Sequence, residues 1–157
     1  MKHTNRHRDY GFTLIELMVV IAVMAIMASL AAPSFQQLLA AQRVRITGYN
    51  IVGDMLLARN EAVKRGENVT LTPVASDWSQ GWSVNVASNA LELREQGRVG
   101  NGVQFTTSPA SITFDRNGRT SVSTVVRFGL YDGTSNRRCI SLDPSGRPKS
   151  AKTACPT

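Results

Sequence analysis

The distribution of apolar and polar positions changes twice along the chain. A short polar stretch, Met1 to Gly11, leads into an apolar run that begins at Phe12, carries a single acid, Glu16, and continues from Leu17 to Ala32 before Pro33. Phe12 to Ala32 is 21 residues, which as a helix covers about 30 Å, the thickness of a hydrocarbon core. After Pro33 the apolar positions fall at helical spacings of three and four, through Phe35, Leu38, Leu39, Val52, Met55, Leu56, Ala62 and Val63. Arg65 followed by Gly66 supplies a basic last turn and a stop. A single helix from residue 12 to 65 would be about 80 Å long, its outer half laying an apolar stripe on a sheet.

Beyond Gly66 short runs of Val, Thr, Ile and Phe alternate with Gly, Asn, Asp and Ser clusters. Strands are predicted at 69–74, 81–87, 91–96, 103–107, 111–114, 125–130 and 138–142. Asp115-Arg116-Asn117-Gly118 and Tyr131-Asp132-Gly133 are the clearest hairpin turns. The chain therefore reads as α+β, with residues 1–11 as a leader, 12–33 as a membrane helix, 34–66 as an amphipathic helix and 67–157 as a β-rich domain. Within the helix, Gly48 and Gly53 each weaken it by about 1 kcal/mol relative to Ala, which fits local flexibility and close packing equally. Arg43, Arg45, Arg59 and Lys64 read as a solvated face, and Trp78 and Trp82 as core or sheet-edge anchors.

At 157 residues the chain has room for one compact domain and an appended element. Its formal charge of +7 would drop to +5 if residues 1–11 were removed with Lys2, Arg6, Arg8 and Asp9, so nucleic acid or an acidic surface is permitted as a partner without being required. Both histidines, His3 and His7, lie in the same segment. A chain shortened there has no imidazole for Ser-His-Asp, Cys-His or His-metal chemistry. Two cysteines, Cys139 and Cys155, are too few for a four-thiolate metal site and are spaced like a loop-closing disulfide, which points to an oxidising compartment. No metal, cofactor or catalytic constellation is expected, and an enzyme is the weakest reading.

Glu16 needs an explanation. A carboxylate at membrane depth costs about 2.5 to 3.5 kcal/mol on insertion scales unless it finds a partner. An ordinary secretory signal cleaved near Ala31 or Ala32 would fit the basic flank and the apolar run, but not an acid so early in that run. Gly11-Phe12-Thr13-Leu14-Ile15-Glu16 resembles the class III signal of type IV pilins and type II secretion pseudopilins. That resemblance implies cleavage by a prepilin peptidase between Gly11 and Phe12, N-methylation of Phe12, and a Glu16 that neutralises the terminal amine of a neighbouring subunit during assembly. Pro33 then matches the family's helix-kinking proline. An ammonium group against the carboxylate in low dielectric would meet the cost.

The resemblance extends into the globular part. Residues 58–66, Trp78-Ser79-Gln80-Gly81-Trp82 and residues 112–119 look like successive signatures of the GspH/FimT/FimU branch, the minor pseudopilin of type II secretion and minor pilins of type IV pili. The type IV pilin fold is the expected architecture. The implied partners are other major and minor pilins or pseudopilins, the prepilin peptidase and the bacterial inner membrane, crossed once with the C-terminal domain in the periplasm.

The last 21 residues carry Arg137, Arg138, Arg147, Lys149 and Lys152 against Asp143 alone, a balance of +4. A Cys139–Cys155 bond would close this segment as a loop of about 15 residues, stabilising by about 3 kcal/mol in the chain-entropy model. Ser145-Gly146-Arg147-Pro148-Lys149 resembles the GRxR-type motif of DNA-binding FimT minor pilins, with Lys149 in place of the last Arg. Duplex DNA is thus a candidate partner of the five basic residues; a solvated loop, or one facing an acidic neighbouring subunit, is the alternative. The leading function is a minor pilin acting near the pilus tip in priming assembly, and its rival is the H-type minor pseudopilin of type II secretion.

Overall fold

The computed structural model describes residues 12–156. The leader expected at residues 1–11, and Gly11 with it, lies outside the described residues. Helix α1 runs from Leu14 to Arg65 and continues through Pro33. The chain separates into two compact units at Leu38/Leu39.

In the first unit, every described side chain from Phe12 to Leu38 is exposed. An 18-residue window of α1 has a mean hydropathy of 2.6 and none of it is buried. The helix start is closed by a reciprocal pair: the Glu16 N–H donates to Thr13 Oγ1 at 3.3 Å, and the Thr13 N–H faces Glu16 Oε2 at 3.5 Å. This is the capping box in which Thr and Glu three apart satisfy each other's backbone donors. Downstream, Ser29 and Ser34 return their hydroxyls to the carbonyls of Ile26 and Ala31, which suits side chains with no other polar partner on an apolar helix.

The second unit combines the outer part of α1 with two antiparallel sheets. Strands β1 (Val69–Pro73), β2 (Trp82–Val86), β3 (Glu92–Gln96) and β5 (Ile112–Phe114) form one, in the order β3-β2-β1-β5. Strands β4 (Gln104–Thr107), β6 (Val126–Tyr131), β7 (Arg137–Leu142) and β8 (Pro148–Ala151) form the other, in the order β4-β6-β7-β8. The seven predicted strands are present with shifted ends. The eighth, β8, falls inside the segment read as a loop: it pairs with β7 from Cys139↔Ala151 to Leu142↔Pro148. Hairpin pairing with an existing strand supplies hydrogen bonds that polar Pro-Lys-Ser-Ala could not gain alone.

The core sits where the inner stripe of α1 (Val44, Ile51, Met55, Ala58, Ala62) meets Val69, Leu71, Val84 and Phe114 of one sheet and Phe128, Leu130, Ile140 and Leu142 of the other. Gly48 is buried in this stripe because the second sheet comes close: a Cβ there would lie 2.6 Å from Arg138 Cδ. Close packing, not flexibility, explains that glycine; Gly53 has no heavy atom within 4 Å of its Cβ position. The helix ends at Gly66, whose positive φ of 70° turns the chain while the Glu67 N–H donates to the Ala62 carbonyl.

Both tryptophans are buried anchors. Trp82 Nε1 donates to Asp54 Oδ2 at 2.8 Å and Arg94 Nε meets Asp54 Oδ1 at 2.6 Å, so one buried helix carboxylate ties α1 to β2 and β3. Burial pushes the Asp54 pKa up, against the opposing pull of Trp82 and Arg94. Trp78 Nε1 donates to the Pro109 carbonyl at 2.6 Å while its ring meets Phe128 edge-on at 4.7 Å, filling the space between the sheets.

Candidate functional site

Two sets of residues carry the functional expectations, one in each unit. At the start of α1, Phe12 and Glu16 are exposed. The Thr13–Glu16 pair holds the carboxylate at the helix's first turn, where the positive end of the helix dipole favours it. Pro33 lies further along the same helix, where its missing N–H releases one backbone acceptor.

The basic C-terminal segment is built from register. Strand β7 alternates, so Ile140 and Leu142 enter the core and Arg138 goes with them, while Arg137, Cys139 and Ser141 stand on the outer face. Arg138 is 8 % exposed. It passes over Gly48, places its guanidinium 5.5 Å from the Tyr49 ring centre and donates from Nη1 to Ser150 Oγ at 2.8 Å. Of the five candidate DNA contacts, Arg138 has its guanidinium inside the domain, joining helix to sheet. Lys152 goes to the same side, where Arg45 first, then Arg138 and Lys152, lower the Tyr49 pKa. The five basic residues do not make one patch.

Arg137, Arg147 and Lys149 do share a side. Arg137 stacks on Tyr131, its register partner across β6, at 4.4 Å. Lys149 pairs with Ser141, and Ser141 with Arg127, so one row across three strands reads Arg127, Ser141, Lys149. Arg127 was not among the sequence candidates: it lies ten residues from the nearest of them, and only strand pairing brings it here. Arg147 precedes Lys149 by two positions, just before β8, where its carbonyl accepts from the Asp143 N–H and extends the β7–β8 pairing, so alternation places it on the same side.

The turn carrying Arg147 is fixed on three sides. Asp143 accepts from the Ser145 hydroxyl and, at 3.1 Å, from the Arg147 N–H. These two bonds, led by the Ser145 hydroxyl, lower the Asp143 pKa. Gly146, at φ +78°, packs against the Gly118 carbonyl so closely that a Cβ would lie 2.1 Å from that oxygen. The same carbonyl accepts from Arg59 Nε at 3.0 Å. Arg59, expected on a solvated face, thus locks the β7–β8 turn and the Asp115–Gly118 turn onto the helix. Arg43 likewise donates to the Asn101 carbonyl at 3.1 Å. Beyond β8 the chain returns to the outer face, where Cys155 is bonded to Cys139 as the spacing predicted.

Among the described residues no cluster of three or more potential metal ligands occurs. The chemistry at hand is one carboxylate at an exposed apolar helix start and an array of cations on a sheet face.

Residues 49–146 match the family described as type II transport protein GspH, and residues 6–32 match the prokaryotic N-terminal methylation motif. A stretch of 89 residues is 35% identical to a type IV major alpha-pilin of Moraxella bovis, covering 56% of this chain and 52% of that one. Fimbrial protein Q of the same organism is 32% identical over 95 residues, covering 59% of each chain. The chain thus spans between half and three-fifths of the length of these curated relatives. In structure it is similar to the type IV minor pilin FimU of Pseudomonas aeruginosa in two crystal forms. The TM-scores are 0.66 and 0.62 at 19% and 21% identity, over 74% and 72% of this chain and 95% and 98% of those chains. One long N-terminal helix followed by antiparallel sheets is the type IV pilin fold, and the chain belongs to the GspH family, with the N-terminal methylation motif of pilin-type proteins.

Proposed function

We propose that the chain is a minor pilin of a type IV pilus, cut by a prepilin peptidase between Gly11 and Phe12, methylated on Phe12, held in the bacterial inner membrane by residues 12–33 with its β-rich domain in the periplasm, and drawn into the filament to prime assembly near the tip. The observation that supports this most is the uncovered apolar helix start: the 25 residues from Leu14 to Leu38 without one buried side chain, and a single carboxylate capped at the first turn. Apolar surface of that extent is stable in lipid or against other apolar helices. Glu16 gives the packing a register, because a carboxylate in a low-dielectric bundle favours the one arrangement that sets a terminal amine beside it. The partners are other major and minor pilins.

A second reading, the H-type minor pseudopilin of type II secretion, is favoured by the family match over residues 49–146. Both share the same anchoring and assembly chemistry and differ in the apparatus joined. A further role, duplex DNA binding for uptake, draws support from the cations that register gathers on the outer face of the second sheet. The test is recovery of the chain from mechanically sheared filaments, with the N-terminal peptide read by mass spectrometry. A minor pilin appears there in low amount beginning at methylated Phe12. Recovery only with a secretion pseudopilus assigns the second reading, and a chain retained uncut in the membrane rejects both.

A further inference from the structure

A groove of about 320 Å³ opens on the outer face of the second sheet, bounded by Arg127 and Lys149, floored by Ser141 and the Cys139 end of the disulfide, and walled by the returning tail at Thr153 and Pro156. Its lining contains no carboxylate among the described residues. Neither Arg127 nor Lys149 takes part in an ion pair or side-chain hydrogen bond among the described residues, unlike Arg94, Arg65 and Lys64, which all have carboxylate partners. Arg127 is nonetheless half-buried, so its charge has given up part of its hydration without an internal partner in return.

We infer that this groove is a phosphate subsite for the backbone of duplex DNA, with Arg127 as its central contact, Lys149 and the Ser141 hydroxyl on the same phosphates, and Arg137 and Arg147 extending the track. The inference rests on the DNA-binding role above. Arg127 and Lys149 stand two strands apart, roughly 10 Å, and Arg137 lies four residues along β7 from Ser141, roughly 13 Å. A field of that size is too wide for one carboxylate and suits a repeated anion, of which duplex DNA supplies one charge per about 1.7 Å of axis. Arg127 offers the planar fork for paired phosphate oxygens that Lys149 lacks. The disulfide keeps the tail as a wall, so the groove is preformed and little ordering is needed on binding.

The experiment titrates the full chain in detergent against a fluorescent duplex across a salt series. Arg127→Ala is compared with wild type, with Arg127→Gln, which keeps most of the stem, and with Lys64→Ala as a surface control. The expected result is a loss of about tenfold for both Arg127 variants at low salt and a fall of about one in the log–log salt slope, with Lys64→Ala like wild type. Unchanged affinity and slope in both Arg127 variants would overturn the groove while leaving DNA binding intact. Failure of the wild type to bind removes DNA binding and the groove together. Inorganic phosphate should compete no better than chloride at equal ionic strength; specific competition would contradict the duplex and assign a single phosphate group. Melting curves of each variant separate lost contact from lost fold.

Discussion

The two parts of helix α1 are equally apolar in places and opposite in outcome. From Phe12 to Leu38 no described side chain is covered, whereas from Val44 to Ala62 the inner stripe is buried, with Ile51, Met55, Ala58 and Ala62 at 0% exposure. The difference lies in what the rest of the chain provides. Residues 67–156 supply two sheets whose inner faces need that stripe, and Asp54, Trp82 and Arg94 fix it in place. Among the described residues nothing covers the first part, which in the proposed function meets lipid or other subunits. The part of α1 from Val44 on is stabilised by the domain's own fold, while the uncovered part is the surface that the proposed function gives to assembly.

That contrast can be broken by paired truncations. Trp82→Ala should cost about 3 to 5 kcal/mol of domain stability, since it opens a cavity and leaves Asp54 Oδ2 without its donor, Arg94 still holding Oδ1. Leu17→Ala, in the uncovered part, should leave the melting of the same domain within about 0.5 kcal/mol. Thermal melts of the two variants in detergent check both, and equal losses would mean that the two parts are not separate units.

The next effect comes from the disulfide. Cys139→Ala with Cys155→Ala should cost about 2 to 5 kcal/mol, because the closed segment contains β8 and the tail beside it. Proteolysis should then cut first between Pro148 and Pro156. A smaller loss, about 1 to 3 kcal/mol, is expected for Gly146→Ala, where a side chain meets both the left-handed φ and the Gly118 carbonyl. The readout is hydrogen exchange at the β7–β8 turn, against unchanged exchange in β1 and β2.

The smallest effect depends on pH. Burial pushes the Asp132 pKa up, but the Asn136 side chain and the Thr134 and Asn136 N–H groups outweigh it and hold the carboxyl at about 2. The folded value lies below the ordinary 3.8. The stability this group contributes is therefore complete above 3.8 and is lost as pH falls from there toward 2. Asp132→Asn should flatten that acid limb in a series of melts.

Much of this was legible in the chain. The apolar run, the Gly66 stop and the alternating segments fixed one long helix and seven of the eight strands, because each carries its own periodicity. Strand β8 has none: Pro-Lys-Ser-Ala forms a strand through pairing with β7, which is a tertiary fact. The placement of Arg138 was within reach, since alternation from Ile140 and Leu142 sends it inward. Arg127 was not, because its partnership with Lys149 exists only through Ser141 in the register of β6, β7 and β8. The Thr13–Glu16 cap is written in the chain as Thr-x-x-Glu ahead of an apolar run.

In the proposed function the uncovered part of α1 is an assembly surface in which Glu16 selects the register. Its most direct measurement is the amount of Glu16→Ala protein in sheared filaments relative to its amount in the membrane. The account predicts normal membrane levels, normal cleavage before Phe12 and near absence from the filaments, with Glu16→Asp recovering part of the incorporation. Glu16→Ala present in filaments at wild-type levels would contradict it.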